Sequence, residues 1–195
     1  QWLDEVDYSL INSTEYVPSS FALQYINFIK LVNANNPEAN KSPAMHLTML
    51  DKIVGKSEYL VNLCFRGSAK TTLFMEYLTL YLAVFHEIPG FGEVEGMIYV
   101  ADSMENGAKN ARKNIETRYE NSDFLKHWIP EAKFTDTYLE FKNRSGQRLG
   151  VKLYGATTGV RGTKIFAKRP VLAVLDDLLT DESAKSKTVM NLIED

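Results

Sequence analysis

The sequence has a single cysteine among 195 residues, which excludes a framework of disulfides within the chain. Cys64 stands in an apolar run, which favours a small buried residue over a nucleophile, and we expect a reducing compartment. Long apolar runs are also missing, since none approaches the ~18 residues of a membrane-spanning helix. With 45% hydrophobic and 24% charged residues, the composition is that of an ordinary globular chain with one sizeable core.

Neither sign of charge is in large excess, because 22 Lys and Arg nearly balance 25 Asp and Glu. The charges are nevertheless segregated along the chain. Residues 109–169 hold 14 basic and 6 acidic side chains, for +8, whereas the remaining residues hold 8 and 19, for −11. A basic segment of this kind attracts phosphate, either of DNA or of a nucleotide, although a solvated lysine-rich face has the same composition.

The most informative stretch is the sequence EYLVNLCFRGSAKTTL at residues 58–73. Residues 59–65 form a short apolar run that predicts a buried strand, and residues 66–71 form a polar turn. Residues 73–85 then show the 3.6-residue periodicity of a helix. A strand, a tight turn and a helix that opens on Lys-Thr are typical of a phosphate-binding loop, in which backbone N–H groups face the anion.

We assign this loop to the phosphates of ATP, with Lys70 as the positive charge and the Thr71 hydroxyl as a ligand of Mg²⁺. The two glycines of the pattern G-x-x-x-x-G-K-[ST] are missing, because their positions hold Cys64 and Ala69. The other interpretation is an ordinary strand-to-helix turn with an incidental lysine. The predicted ATP-binding residues are Arg66, Gly67, Ser68, Ala69, Lys70, Thr71 and Thr72.

A second polar pair follows the last apolar run, residues 171–175, which ends in Asp176 and Asp177. A strand in an α/β sheet delivers residues at its carboxyl end to the ligand crevice, so both carboxylates are expected to face the loop. We assign Asp176 to Mg²⁺ and Asp177 to the water that attacks the γ-phosphate. The alternative is a helix start, since the Thr-Asp-Glu sequence at residues 180–182 resembles a cap.

Between these two motifs, strand and helix patterns alternate. A strand is predicted at residues 97–101, a helix capped by Ser103 follows, and a hairpin joins residues 138–141 to residues 148–154. With the strand before the phosphate loop and the strand before the aspartates, this order predicts an α/β sheet with helices on both faces.

Upstream of the loop the sequence predicts two helices, at residues 19–32 and 42–54. The first belongs to an N-terminal arm and lid-like appendage, residues 1–42, and the second opens an ATPase core, residues 43–195. His46 is alone on the second helix, and we interpret it as a structural histidine. In many ATPases the segment before the phosphate loop packs on the adenine, so this second helix is a candidate for that contact.

The motifs together resemble the ATPase domain of the large terminase subunit of tailed bacteriophages, the motor that packages viral DNA. The resemblance rests on CFRGSAKTT at residues 64–72, GVRG at residues 159–162 and the strand with Asp-Asp at residues 171–177. It implies an ASCE-type P-loop NTPase with a mostly parallel central sheet, in which the catalytic strand lies between the phosphate-loop strand and its neighbour. It also implies ATP and Mg²⁺ as cofactors.

The resemblance implies double-stranded DNA, the portal protein and the small terminase subunit as partners, at the portal vertex of the procapsid in the host cytoplasm. It implies a homo-oligomeric ring in the assembled motor, and we expect a monomer for the isolated fragment. The coupling motif and the nuclease domain of the family would lie beyond Asp195, so we expect no nuclease activity here. Many members have Glu in the place of Asp177, which leaves Glu182 as a second candidate for the base.

An arginine is expected to neutralise the charge that develops on the γ-phosphate, from the same subunit or from a neighbour. Arg66 is next to the loop and is assigned a role in cis. For an arginine that acts in trans, Arg161 is the first choice, because Gly159 and Gly162 flank it and give its loop freedom to move. The other candidates are Arg112, Arg118, Arg144 and Arg148.

Two other functions stay open from the sequence. In the first, the loop without its usual glycines binds nucleotide poorly, and the chain is a degenerate module that docks or binds DNA without significant hydrolysis. The second is a small-molecule kinase, for which the sequence indicates no acceptor pocket.

Overall fold

The computed structural model describes residues 16–35, 42–55, 59–65 and 67–178. It shows a mixed α/β architecture in which a five-stranded mixed sheet is flanked by helices. The helices are α1 (Ser20–Val32), α2 (Ala44–Asp51), α3 (Leu78–Phe85), α4 (Lys109–Glu120) and α5 (Asp123–Trp128), with π-helical segments Thr72–Tyr77 before α3 and Met104–Ala108 before α4. The strands are β1 (Glu87–Ile88), β2 (Gly92–Glu93), β3 (Gly96–Ala101), β4 (Glu131–Phe134), β5 (Tyr138–Lys142), β6 (Arg148–Gly155) and β7 (Leu172–Leu175). Within the described ranges, no helix is both long and apolar enough to cross a membrane.

The central sheet has the strand order β4-β5-β6-β3-β7. Strands β6, β3 and β7 run parallel to one another, whereas β4, β5 and β6 form antiparallel pairs. The predicted hairpin and the strands predicted at residues 97–101 and 171–175 are confirmed. The sheet is mixed rather than mostly parallel, because the connections at residues 135–137 and 143–147 are too short for the crossover that parallel neighbours require.

The helices pack against one face of the sheet. On that face Met97 and Tyr99 belong to an apolar cluster to which every described helix contributes buried side chains. On the opposite face Ile165 lies against Gly150, where an added Cβ would come within 2.4 Å of Ile165 Cγ2. Instead of the predicted helices on both faces, the described residues show helices on one face, whereas Ile165, Phe166 and Pro170, which belong to a segment without helix, lie against the other.

Helix α1 is part of this core. Of the two serines at residues 19 and 20 that could cap this helix, Ser19 is the cap, and it accepts a hydrogen bond at 3.0 Å from a backbone N–H of the first turn. The Tyr25 ring stacks on Tyr81 at 5.0 Å, and its hydroxyl donates to the Leu73 carbonyl at 2.6 Å. Full burial of a large side chain is worth roughly 2–3 kcal/mol, so α1 contributes to stability. The domain boundary at residue 42 stays a prediction, but α1 packs directly on residues that follow the loop.

The apolar run before the loop does not form the buried strand that was predicted. Residues 59–65 have no regular secondary structure, and Tyr59, Leu63 and Phe65 are 84%, 94% and 67% exposed. A strand needs a neighbour to share its backbone hydrogen bonds, and in the described part of the chain β7 has a ladder on one side only. The implied pairing of the phosphate-loop strand with β7 is therefore not formed. Cys64, predicted to be buried, is half-buried against the core cluster.

Candidate active site

The loop after residue 66 turns sharply before the helix. Gly67 has a backbone φ of +88° and Ala69 a φ of +57°, so both lie in the left-handed region. Glycine reaches that region without steric cost, whereas for alanine it costs roughly 1–2 kcal/mol. The Leu73 N–H donates to the Ala69 carbonyl at 2.9 Å, which begins the helix. Left-handed residues in such a turn direct successive N–H groups to one side, the geometry of an anion-binding concavity.

The two aspartates continue β7 at the carboxyl edge of the sheet. The Asp176 N–H donates to the Val100 carbonyl of β3 at 2.9 Å, so pairing with β3 extends to this residue. Asp177 then leaves the strand with a φ of +45°, a conformation that aspartate adopts more readily than most residues. Because β3 and β7 are parallel, their carboxyl ends open on the same edge of the sheet.

Two side-chain contacts join the loop to these aspartates. The Thr71 hydroxyl donates to Asp176 Oδ2, and Lys70 Nζ lies 3.0 Å from Asp177 Oδ2. The partners are 105 and 107 residues apart in the sequence. The Lys70 side chain is 24% exposed and that of Asp177 is 69% exposed, so the ion pair is accessible to solvent and to a ligand.

Asp176 has a further partner that the sequence analysis missed. The Tyr99 hydroxyl donates to Asp176 Oδ2 at 3.3 Å, and Tyr99 is only 1% exposed. Burial, and after it the charge of Asp176, raises the pKa of the Tyr99 hydroxyl, which therefore stays protonated as a donor. The signal in the sequence is the tyrosine itself: it is the one polar side chain in the apolar strand, and a buried tyrosine hydroxyl usually has a partner.

The loop also contacts α2. His46 Nε2 lies 2.8 Å from the Ser68 carbonyl oxygen, and both residues are buried, with 6% and 4% exposure. Burial lowers the pKa of His46. The Ser68 hydroxyl is buried without a hydrogen-bond partner among the described residues. The interpretation of His46 as structural missed this contact, because nothing in the spacing of residues 46 and 68 indicates it.

The arginines assigned to the γ-phosphate differ in what the structure shows. Arg66 lies outside the described residues. Arg161 is exposed and has no ion pair with a described residue. It stands in a turn closed by a hydrogen bond from the Thr163 N–H to the Val160 carbonyl at 3.3 Å, with Gly162 at φ +76°. Gly162 thus serves a tight turn rather than freedom to move, and Arg161 stands at the tip of that turn.

Most other arginine candidates are held within their own subunit by carboxylates. These pairs are Arg112 with Glu116, Arg118 with Glu76 and Arg148 with Glu140. The pair of Arg118 is the most buried, because the Glu76 side chain is only 4% exposed. Arg144 is exposed and forms no ion pair with a described residue. Arg161 and Arg144 are therefore the candidates whose guanidinium groups are available to a neighbouring molecule.

Thr71 and Asp176 offer a hydroxyl and a carboxylate, which are ligands that Mg²⁺ prefers. A nucleotide-bound Mg²⁺ usually takes one or two protein oxygens, and phosphate oxygens and water complete its octahedron. The residues present therefore fit such an ion. Among the residues that the structure describes, no group of three or more His, Cys, Asp and Glu side chains is arranged to hold a metal by itself.

The site combines a lysine, a turn with left-handed residues and two carboxylates of different surroundings. These are the parts needed to bind a phosphate chain and to orient a water molecule beside it. Comparison of the chain with protein-family models, with curated proteins and with solved structures finds no match.

Proposed function

We propose that the chain is the ATP-hydrolysing motor domain of a viral terminase large subunit, which powers the translocation of double-stranded DNA into a procapsid. The observation that supports an ATPase most directly is the pair of contacts between Lys70 and Asp177 and between Thr71 and Asp176. The viral part of the proposal rests on the resemblance of the sequence motifs.

In this proposal the phosphates of ATP take the place of the Asp177 carboxylate beside Lys70. An exposed ion pair contributes at most about 1 kcal/mol, so a polyanion displaces it readily. Backbone N–H groups of the loop and of the helix start then donate to the phosphates. Thr71 and Asp176 would hold Mg²⁺, which neutralises phosphate charge when it is bound.

Displacement of Lys70 frees Asp177 to orient the attacking water and to accept its proton. The two aspartates have different partners in the structure, since Asp176 accepts from two hydroxyls and Asp177 pairs with the lysine. This difference supports the division of roles between metal ligand and base. Glu182, the second candidate for the base, lies outside the described residues.

Assembly into a ring would bring an arginine from one subunit to the nucleotide of the next. Arg161 suits this role because it is exposed at the tip of a tight turn within the basic segment, residues 109–169. The DNA, portal and small-subunit partners and the location at the portal vertex belong to the same proposal by resemblance.

A second candidate function is a degenerate module that docks or binds DNA without significant hydrolysis. Three observations favour it: Ala69 occupies a left-handed position, Lys70 already has a carboxylate partner, and residues 59–65 lack the strand that normally supports a phosphate loop. Each of these lowers the expected affinity for nucleotide.

ATP turnover with Mg²⁺ and isothermal titration of ATP·Mg²⁺ on the purified chain test the proposal. We expect slow turnover by the wild type and none by Lys70→Ala, because the phosphates lose the lysine of the loop. Lys168→Ala is the matched control. Lys168 Nζ lies 2.6 Å from a Glu95 carboxylate oxygen, and this ion pair is not part of the loop. Turnover by Lys70→Ala at the wild-type rate would contradict the assignment of this loop as the phosphate-binding site. A folded wild type that binds DNA but not ATP would establish the docking module instead.

A further inference from the structure

A buried histidine holds one peptide group of the loop. The contact joins His46 Nε2 and the Ser68 carbonyl oxygen at 2.8 Å. A carbonyl oxygen only accepts hydrogen bonds, so Nε2 carries a proton and donates it. The lowered pKa of the buried ring means that the neutral form makes this bond.

The direction of this carbonyl fixes the direction of the next N–H group. The described residues contain no cis peptide bond, and in a trans peptide the C=O and the following N–H point in opposite directions. Because the Ser68 carbonyl is directed at the buried His46, the Ala69 N–H is directed away from it. Ala69 is exposed, and its N–H donates to none of the described residues. An unpaired donor directed outward beside Lys70 is arranged for an anion.

The histidine itself is firmly placed. Helix α2 contributes Met49 and Leu50 to the core cluster. The Asp51 carboxylate at its end accepts from the Tyr16 hydroxyl at 2.7 Å and from the Ser19 N–H at 2.8 Å, which ties α2 to the start of α1. The bond from His46 therefore connects the loop to two helices of the core.

Such a connection has a specific use in this loop. Alanine at position 69 does not favour a φ of +57° as glycine would, so the local sequence alone does not select this conformation. A hydrogen bond to the preceding carbonyl favours the peptide orientation that the loop requires. The histidine thus compensates in part for the missing glycine.

We propose that His46 is a positioning residue that aims the Ala69 N–H at a phosphate of the bound nucleotide. The inference rests on the proposed function and adds to it a residue outside the loop on which phosphate affinity depends. Because a hydrogen bond to a charged acceptor is a strong one, loss of the histidine donor is expected to weaken ATP·Mg²⁺ binding roughly 10- to 100-fold.

Two substitutions separate donation from packing. His46→Gln keeps an amide N–H close to the position of Nε2, whereas His46→Leu fills the space without a donor. Thr48→Val is the control on the same helix, where the Thr48 hydroxyl donates to the Met45 carbonyl at 2.8 Å and forms no hydrogen bond to the loop within the described residues. By titration calorimetry we expect His46→Gln and Thr48→Val to bind ATP·Mg²⁺ with an affinity close to that of the wild type, and His46→Leu to bind it more weakly. Inorganic tripolyphosphate should lose affinity by the same factor, because the contact is to phosphate.

Equal ATP·Mg²⁺ affinities of His46→Leu and the wild type, both folded by thermal melts, overturn the inference and leave the proposed function intact. A wild type that does not bind ATP·Mg²⁺ overturns both. If His46→Leu does not fold, ¹⁵N NMR of the wild type decides the question. The Ala69 amide resonance must shift on saturation with ATP·Mg²⁺, and an unchanged resonance contradicts the proposal.

Discussion

The Thr71 hydroxyl and the Asp176 carboxylate share a hydrogen bond across 105 residues of sequence. The same carboxylate accepts from the Tyr99 hydroxyl, so two residues from different elements orient it. Oriented ligands are typical of metal sites, where neighbouring hydrogen bonds fix the ligand and tune its basicity. The contact therefore supports the proposed division of roles, in which Asp176 binds the metal and Asp177 orients the attacking water.

Substitution of the two aspartates should have different effects. Asp177→Asn is expected to keep ATP·Mg²⁺ binding and to remove hydrolysis, because an amide does not accept the proton of the attacking water. Asp176→Asn is expected to raise the Mg²⁺ concentration needed for nucleotide binding. Titration calorimetry at several Mg²⁺ concentrations, together with a phosphate-release assay, measures both effects. Equal losses of nucleotide affinity in the two variants would contradict the division of roles.

Tyr99→Phe should loosen Asp176 without changing the shape of the strand. We expect a loss of about 1 kcal/mol in the free energy of unfolding, together with a higher Mg²⁺ requirement. Tyr138→Phe is the matched control, because the Tyr138 hydroxyl donates to Glu140 at 3.2 Å outside the site. Denaturant unfolding and Mg²⁺ titration of both variants test the prediction, which fails if the control changes the Mg²⁺ requirement as much.

The left-handed residues of the loop predict opposite effects of two small substitutions. Ala69→Gly should stabilise the protein by about 1 kcal/mol, since glycine adopts a φ of +57° without steric cost. Gly67→Ala should destabilise it by a similar amount, although no atom lies within 4 Å of an added Cβ, because its φ is +88°. Thermal or denaturant unfolding gives both values, and changes of the same sign would show that the loop conformation is different in solution.

We expect Arg118 to stabilise the fold of its own subunit rather than to contact the nucleotide of a neighbouring subunit. It pairs with the buried Glu76 at 2.8 Å and donates to the Tyr77 hydroxyl at 2.7 Å. Arg118→Ala leaves the Glu76 charge without its cation and should cost about 3 kcal/mol or more. In the control Arg148→Ala, the pair is more exposed and screened by solvent, so the loss should be clearly smaller than for Arg118→Ala. Urea unfolding compares the two, and a smaller loss for Arg118→Ala would contradict this role.

The trans role of Arg161 predicts complementation between two inactive variants. Lys70→Ala subunits lack the phosphate lysine but still present Arg161, and Arg161→Ala subunits have the reverse defect. Mixed under conditions in which the wild type assembles, they should recover turnover, and wild-type turnover per subunit should rise with protein concentration. Arg144→Ala is the matched control, since Arg144 is also exposed without an ion pair to a described residue. If ATP turnover does not recover in the mixture although both variants are folded, Arg161 does not act in trans.

Local patterns in the sequence predicted the elements that depend on sequence neighbours. The caps at Ser19 and Ser103 follow from short-range hydrogen bonds, at 3.0 and 3.2 Å, and the hairpin follows from two alternating runs around a Gly-containing turn. The strand before Asp176 was equally predictable, because a short apolar run bounded by Pro170 and two carboxylates is typical of a buried strand.

Long-range features were not readable in the same way. The apolar run at residues 59–65 matches a strand by composition, but a strand exists only with a pairing neighbour, which one sequence does not specify. The contacts of His46 with Ser68 and of Tyr99 with Asp176 depend on how helices and strands pack. The π-helical segments at residues 72–77 and 104–108 were not predicted either, because the sequence was compared with the 3.6-residue period of an α-helix and π-helical turns are rare.

The ion pair of Lys70 with Asp177 has a consequence for the end of the reaction cycle under the proposed function. The charge of a triphosphate is large enough to displace the Asp177 carboxylate from Lys70. A diphosphate carries less charge and therefore competes less well with Asp177 for the lysine. Asp177 would then pair with Lys70 again and so favour dissociation of the product. The Asp177 carboxylate would thus act both in hydrolysis and in product release. Its neutralisation should therefore slow ADP dissociation as well as hydrolysis.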